Sequence, residues 1–378
     1  MKTLRNLGWV EMHTNKKTML SAFIKGPRDI QVSQVPVPEI GPSDALLKIN
    51  SCGICGSDLH RYLVDAYGRK FNYPLNSGHE YCAEIVETGK KVKNFKVGDQ
   101  VTGDVVWKET GGAFAQYLLV PEADKRLLQI NSITNSSEKM SKVDFVDLDP
   151  HHIALVEPVG IAVKAFAFGC PPGSSSNNKL AIIGSGTIGL SLLLTSIVRG
   201  FKKIVVSEPS RLRRDIAQSI GAVVVNPKAS DSSDQFRRAF LAFEGDPNQA
   251  RKRIENNFSV DSRPAGWADV VFECAGTQES LSQAVALAGM RGIIVLVALH
   301  GKEVSLPATE IITKGLTIKS VYGKTLHKHT VEAVDIISKK KQEAARLITH
   351  SFSLSDIKKG FELACQPEAC CKIMIDIS

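Results

Sequence analysis

The chain has 378 residues, 43% of them hydrophobic and 23% charged, with a formal net charge of +8. That length and balance supply core enough for two domains and exclude disorder as the bulk reading. The lysines and arginines are spread along the chain without interleaved aromatic residues, which argues against a nucleic-acid partner.

No apolar run is long enough to cross a bilayer, and the opening MKTLRNLGWVEMHTNKK lacks the apolar stretch of a secretory signal. A cytoplasmic location without a membrane partner is therefore expected. The basic first residues read as a frayed extension or terminal strand rather than a transit segment. Eight cysteines, at 52, 55, 82, 170, 274, 365, 370 and 371, do not form a secreted disulfide framework and are expected to be mostly reduced and buried.

From 19 to about 130, short strand-like runs are cut by glycine and proline: MLSAFIKG, DIQVSQVP, DALLKINS, YCAEIVETG, QVTGDVV and AFAQYLLVP. This pattern predicts an all-β, barrel-like unit. The stretch 131–147 is polar and Ser-rich. Asp149-Pro150 then offers an N-cap followed by proline at the first helical position, predicting a helix from His151 through about Phe168. His151 and His152 fall in its first turn and are expected to be exposed. After a loop over 169–178, apolar strands alternate with helical stretches: LAIIG, KIVVSE, AVVVN, ADVVFECAG, GIIVLVAL and LTIKSVYG. Six such strands predict a parallel, doubly wound α/β sheet. The polar stretch 230–264 reads as one helix plus an inserted surface segment. The run Lys339 to Lys341 reads as a solvated helix face, and the terminal CCKIMIDIS as a strand returning to the first unit.

Gly184-Ser185-Gly186-Thr187-Ile188-Gly189 follows LAIIG directly and opens an apolar helix, the context that makes a glycine pattern a dinucleotide site. Gly184 permits the tight turn, Gly186 admits the pyrophosphate, and Gly189 lets the helix pack on the sheet. Glu208, closing the second strand, is placed to accept hydrogen bonds from the adenosine ribose, which favours NAD over NADP. Against this stand Arg211, Arg213 and Arg214, any of which could pair with a phosphate.

Gly53-Ile54-Cys55-Gly56-Ser57-Asp58-Leu59-His60 and Gly78-His79-Glu80 supply metal-ligand chemistry. A catalytic zinc takes about three protein ligands and keeps an open position. Cys55 and His79 offer two; Glu157, in ALVEPVGIAV, or Glu80 offers a carboxylate. The alternative for Cys52 and Cys55 is a redox C-x-x-C, but the continuation Gly-Ser-Asp-Leu-His favours metal, with Cys52 a packing residue. His300, His327, His329 and His350 have no partner legible in the sequence.

With GICGSDLH, GHE, VEP and GSGTIG in this order, the chain resembles the zinc-containing medium-chain dehydrogenase/reductase family, in its sorbitol, butanediol and threonine dehydrogenase branch. The resemblance extends from about Met19 to the C-terminus. It implies a GroES-like β-barrel catalytic domain over 1–164 and 324–378 and a Rossmann domain over 165–323. It also implies metal binding by Cys55 and His79, with the third ligand Glu80 or Glu157. In relatives with a second, structural zinc, four cysteines follow the Gly-Asp-x-Val segment; here Gly98-Asp99-Gln100-Val101 runs on without one. One catalytic zinc and no structural zinc are expected.

The resemblance further implies that Ser57 takes the substrate hydroxyl proton and passes it through the nicotinamide ribose to His60. Asp58 is expected to fix the His79 ring. The expected reaction is hydride transfer between a polyol, amino alcohol or secondary alcohol and NAD, in a homodimer or homotetramer joined near GIIVLVAL and LTIKSVYG. Trp107, Lys108 and Tyr322 are candidates for the pocket wall. The rival readings are a zinc-free quinone or enoyl reductase of the same superfamily and a non-catalytic nucleotide-binding protein.

Overall fold

The computed structural model describes residues 17–63, 71–105, 111–130, 148–243, 267–323, 325 and 327–377. Trp107, Lys108, the Ser-rich 131–147 stretch, the basic first residues and the inserted segment after 243 lie outside them.

The first unit opens with β1 (Thr18–Gly26) and β2 (Asp29–Pro36), an antiparallel pair extended by β4 (Leu75–Asn76). A second sheet is built on β3 (Ala45–Gly53), β5 (Glu80–Thr88), β6 (Gln100–Gly103) and β8 (Leu127–Gln129), with β7 (Tyr117–Val120) also on β3. Two short helices belong here: α1 (Gly56–Leu63) follows β3, and α2 (Ala123–Arg126) precedes β8. These strands enclose their own apolar cluster around Leu47, Ile49, Tyr81, Phe114 and Phe361.

The linking helix is broken. Asp149 caps α3 (Pro150–Ala154) by accepting the His152 N–H at 3.0 Å, and α4 (Val156–Gly169) starts afresh after Leu155. Pro158 explains the interruption, because it has no N–H for the Ala154 carbonyl and its ring would crowd that oxygen. Proline is tolerated in the first turn of a new helix, and that turn carries Glu157.

The second unit is a six-stranded parallel sheet in the order β11-β10-β9-β12-β13-β14. Its strands and helices alternate: β9 (Leu180–Ile183), α5 (Thr187–Val198), β10 (Ile204–Ser207), α6 (Arg211–Ile220), β11 (Val223–Val225) and α7 (Ser232–Ala242). β12 (Ala268–Glu273), α8 (Gln278–Leu287), β13 (Ala288–Leu296), α9 (Ala308–Lys314) and β14 (Thr317–Ser320) complete it. The strands read as continuous apolar runs because both faces are covered. Leu180 and Ile182 join the core around α4 and α5, while Ala181 and Ile183 join a separate cluster with Phe240 and Val285. The strand order reverses between β9 and β12, the crevice where ligands bind such sheets.

The chain then returns to the first unit. α10 (His327–Lys339) and α11 (Lys341–Ala345) lead to β15 (Ile348–Ser353), α12 (Ile357–Ala364) and β16 (Lys372–Asp376). β16 pairs antiparallel with β3, placing Met374 opposite Gly53.

The expected exposure of His151 and His152 is wrong. His152 is buried between Asp149 and the Lys341 carbonyl, which its Nε2 meets at 3.0 Å, and His151 Nε2 lies 2.7 Å from Asp376. The start of α11 and the end of β16 pack over the helix start. Among the described residues no helix is long and apolar enough to cross a membrane.

Candidate active site

β3 and β5 run antiparallel with Gly53 opposite Glu80, so Cys55, two residues past β3, and His79, just before β5, emerge at the same end of the sheet. Donor atoms of Cys55, His79 and Glu80 all lie within 4.8 Å of one another. Gly53 makes room for this. A Cβ there would sit 2.5 Å from Glu80 Oε2, so any larger residue would displace the carboxylate.

Asp58 holds the two ligand-bearing segments together. Its buried carboxylate accepts the Cys55 N–H at 3.0 Å, the Ser77 hydroxyl, the Gly78 N–H at 3.3 Å and Arg61 Nη1 at 3.2 Å. Its approach to His79 Nδ1, 3.9 Å, is longer than a hydrogen bond, so the direct ring contact expected from the sequence is replaced by backbone anchoring. Ser57 and His60, both half-buried, lie three residues apart on α1 and so share a face.

Lys372 had no part in the sequence reading. From β16 its ammonium donates to Glu80 and, at 2.8 Å, to the Ile54 carbonyl, and both partners of the ion pair are buried. The available signal was a lone lysine inside the apolar strand KIMID. Glu157 approaches from α4 but stands outside the three-residue donor group.

The electrostatics report an excess of negative charge. Burial works to lower the His79 pKa, yet Cys55, Asp58 and Glu157 outweigh it and hold the imidazole well above its ordinary value. Burial pushes the Glu157 carboxyl up to about 7, with His79 opposing and Glu80 reinforcing the shift. Burial opposes the charge on Lys372, but Glu80 and Cys55 raise its pKa overall. Thiol, imidazole and carboxylate converging in such a place suit a zinc ion, whose charge would balance the surplus.

At the switch point, Gly184 takes φ +88°, and a Cβ on Gly189 would lie 1.9 Å from the Gly184 carbonyl, so only glycine lets α5 pack this closely. Gly186 starts α5 without a side-chain cap, leaving the N–H groups of the first turn, Thr187 to Gly189, to an anion. Nothing nearer than Arg213 Nη1, at 3.7 Å, would meet a Cβ on Gly186. Arg213 is pinned by its Nε to the Cys370 carbonyl at 2.9 Å, Arg214 donates to the Glu208 carbonyl at 2.8 Å, and Arg211 is exposed.

Glu208 follows β10 directly. It is buried, and its carboxylate accepts the N–H groups of Ser185 (2.7 Å) and Ser210 (2.8 Å), because a carboxylate removed from water takes the nearest donors. It braces the glycine turn. Tyr322 is largely exposed, and its carbonyl accepts from Lys164.

Comparison with known proteins agrees with this geometry. Residues 41–132 match the model of the alcohol dehydrogenase GroES-like domain, and 187–339 that of zinc-binding dehydrogenases. The chain is 26% identical to the L-threonine 3-dehydrogenase of Bacillus subtilis, over 88% of this chain and 91% of the relative. It is 27% identical to the sorbitol dehydrogenase of Rattus norvegicus, over 91% and 92%. The crystal structure of 2R,3R-butanediol dehydrogenase from Bacillus subtilis superposes with a TM-score of 0.75 at 25% identity, covering 95% of this chain and 100% of that one. With both halves matched and the donor set in place, the chain belongs to the zinc-type medium-chain dehydrogenase/reductase family of alcohol and polyol dehydrogenases.

Proposed function

We propose that this protein oxidises a hydroxyl group of a polyol, amino alcohol or secondary alcohol, using one zinc ion and NAD. The convergence of Cys55, His79 and Glu80 within 4.8 Å carries this reading. Cys55 and His79 would hold the metal, with Glu80 the carboxylate nearest to them and Glu157 facing the same place from α4. A zinc ion bound there would supply Lewis acidity that eases loss of the hydroxyl proton, and a bound nicotinamide would accept the hydride.

The chain's own groups do the rest. Ser57 accepts a hydrogen bond from the substrate hydroxyl and, as it takes that proton, passes its own on toward His60, on the same face of α1, which delivers it to water. Asp58 keeps the Cys55 and Gly78 backbones in register, and Lys372 holds the Glu80 side chain in place through their buried ion pair. The first turn of α5 receives the pyrophosphate, with Gly186 leaving room for its approach. Glu208, following β10 beside the glycine turn, is the residue on which the preference for NAD over NADP rests, since a negative charge there disfavours a nearby 2′-phosphate. The division into 1–164 with 324–378 and 165–323 puts the two halves of the site on separate domains. β14 is one of the two edge strands of the six-stranded sheet among the described residues, which suits a homodimer or homotetramer.

A substrate screen tests the reading. Purified protein is assayed with polyols, amino alcohols and secondary alcohols, each with NAD and NADP. A rise in NADH absorbance with one of these classes is expected. No turnover together with no bound zinc would favour the zinc-free or non-catalytic alternatives.

A further inference from the structure

We propose that His300 and Glu273 are a positioning pair for the nicotinamide end of the cofactor, acting through the backbone of residues 297–299. The inference rests on the reading of this chain as a nicotinamide-dependent dehydrogenase and adds two residues to it. β9 lies between β10 and β12, and each neighbour carries a buried glutamate at its carboxyl end, Glu208 after β10 and Glu273 closing β12. A doubly wound sheet takes one mononucleotide on each of its halves. With the glycine turn and Glu208 on the adenosine side, Glu273 stands on the nicotinamide side.

The two glutamates brace their turns alike, with one difference. Glu208 uses both carboxylate oxygens, on the N–H groups of Ser185 and Ser210. Glu273 accepts the N–H groups of Ala275 and Gly276 with Oε1 alone, each at 2.8 Å, while its main-chain carbonyl accepts Val297 at 2.9 Å and Ala298 at 3.1 Å. One residue thus ties the turn after β12 to the segment after β13. The two run close together, since a Cβ on Gly276 would lie 2.7 Å from the Leu299 carbonyl. The other carboxylate oxygen, Oε2, is buried and has no hydrogen-bond partner among the described residues, and the same is true of His300 Nε2.

These two atoms face each other at 3.7 Å, just beyond a hydrogen bond, and a movement of about 1 Å in the segment after β13 closes the gap. A buried carboxylate oxygen without a donor is costly, and the His300 ring is the donor at hand. The Glu273 side chain is 0% exposed and that of His300 14%, so bulk water does not answer them instead. Residues 297–299 follow the carboxyl end of β13, at the rim of the crevice, and the Leu299 side chain is exposed there. Their start is held by the Glu273 carbonyl and, once the bond forms, their end is held by its carboxylate through His300. A hydride acceptor must be kept at a fixed distance and angle from the reacting carbon, and a rim segment tied at both ends provides that without either side chain touching the cofactor.

Calorimetric titration of the zinc-loaded protein with NADH and with ADP-ribose, which lacks the nicotinamide, tests this. His300→Asn keeps a polar side chain too short to reach Glu273, and should weaken NADH about ten-fold while ADP-ribose binds as it does to the wild type. His300→Gln, whose amide donates from about the place of Nε2, should recover most of the NADH affinity. His300→Ser, shorter still, gives the same comparison if the Asn variant fails to fold. Equal losses for both ligands, undiminished NADH affinity in the short variants, or a Gln variant no better than Asn would overturn the pair. A wild type that binds neither ligand overturns the cofactor reading and the pair with it; where the wild type binds both, the ratio of the two affinities alone decides the pair.

Discussion

At the nucleotide turn, between Ile183 and Gly189, the chain offers a ligand mostly backbone: an uncapped helix start, glycines at 184, 186 and 189, and a buried Glu208 that braces the loop. Where β3 ends and β5 begins, the opposite holds. Cys55, Asp58, His79, Glu80, Glu157 and Lys372 are all buried or half-buried and their charges are interdependent. A site made of backbone is damaged by adding atoms. A site made of interdependent charges is damaged by removing one of them, and the two should therefore fail in different ways.

The largest expected effect separates the sites directly. Cys55→Ser should lower turnover by at least about 10³-fold, several kcal/mol of transition-state stabilisation, while leaving NAD affinity unchanged. Steady-state kinetics and fluorescence titration with NADH check this; a comparable loss of NADH affinity would mean that the two sites are not separable.

Next is the buried ion pair. Lys372→Met leaves Glu80 charged and unpaired, and should destabilise the fold by about 3–5 kcal/mol in denaturant unfolding. The double variant Glu80→Gln/Lys372→Met should recover much of that loss, whereas independent, additive effects would show that the pair is not the reason for the burial.

The glycines supply the contrasting test. Gly189→Ala forces a Cβ to within 1.9 Å of the Gly184 carbonyl and should cost about 1–3 kcal/mol or more, seen as a lowered Tm. Gly186→Ala meets nothing closer than 3.7 Å, so Tm should hold while NAD binding weakens about ten-fold. Reversed outcomes would place the pyrophosphate elsewhere.

The smallest effect is a pH slope. Glu157 has a folded pKa of about 7 against an ordinary 4.5, so the native state holds its proton more tightly than the unfolded chain does. Its contribution to stability is full below about 4.5 and is lost as pH rises through about 7. Melting of the chelated protein between about pH 5 and about pH 8 should show this fall, with a shallower slope for Glu157→Gln.

How much was legible follows from which interactions are local. The turn at Gly184–Gly189 announces itself because a strand buried on both faces is an unbroken apolar run, and the glycine spacing is fixed by contacts within a few residues. Cys55 and His79 were readable as donors. Their meeting depends on the Gly53–Glu80 register, which neither segment states alone.

The Glu80–Lys372 pair spans 292 positions, and nothing near either residue announces it. His152 was misread because a first helical turn is commonly wet, and the covering Lys341 carbonyl arrives from 189 positions away. The break at Leu155 was foreseeable, since Pro158 states it locally.

The account stands or falls on the metal. Zinc per chain is measured on extensively dialysed wild-type protein and on Cys55→Ser and His79→Ala, each confirmed folded by its far-UV spectrum. Close to one zinc in the wild type and almost none in either variant is the result the geometry requires. A wild type free of zinc, or variants that retain it in full, would contradict the assignment.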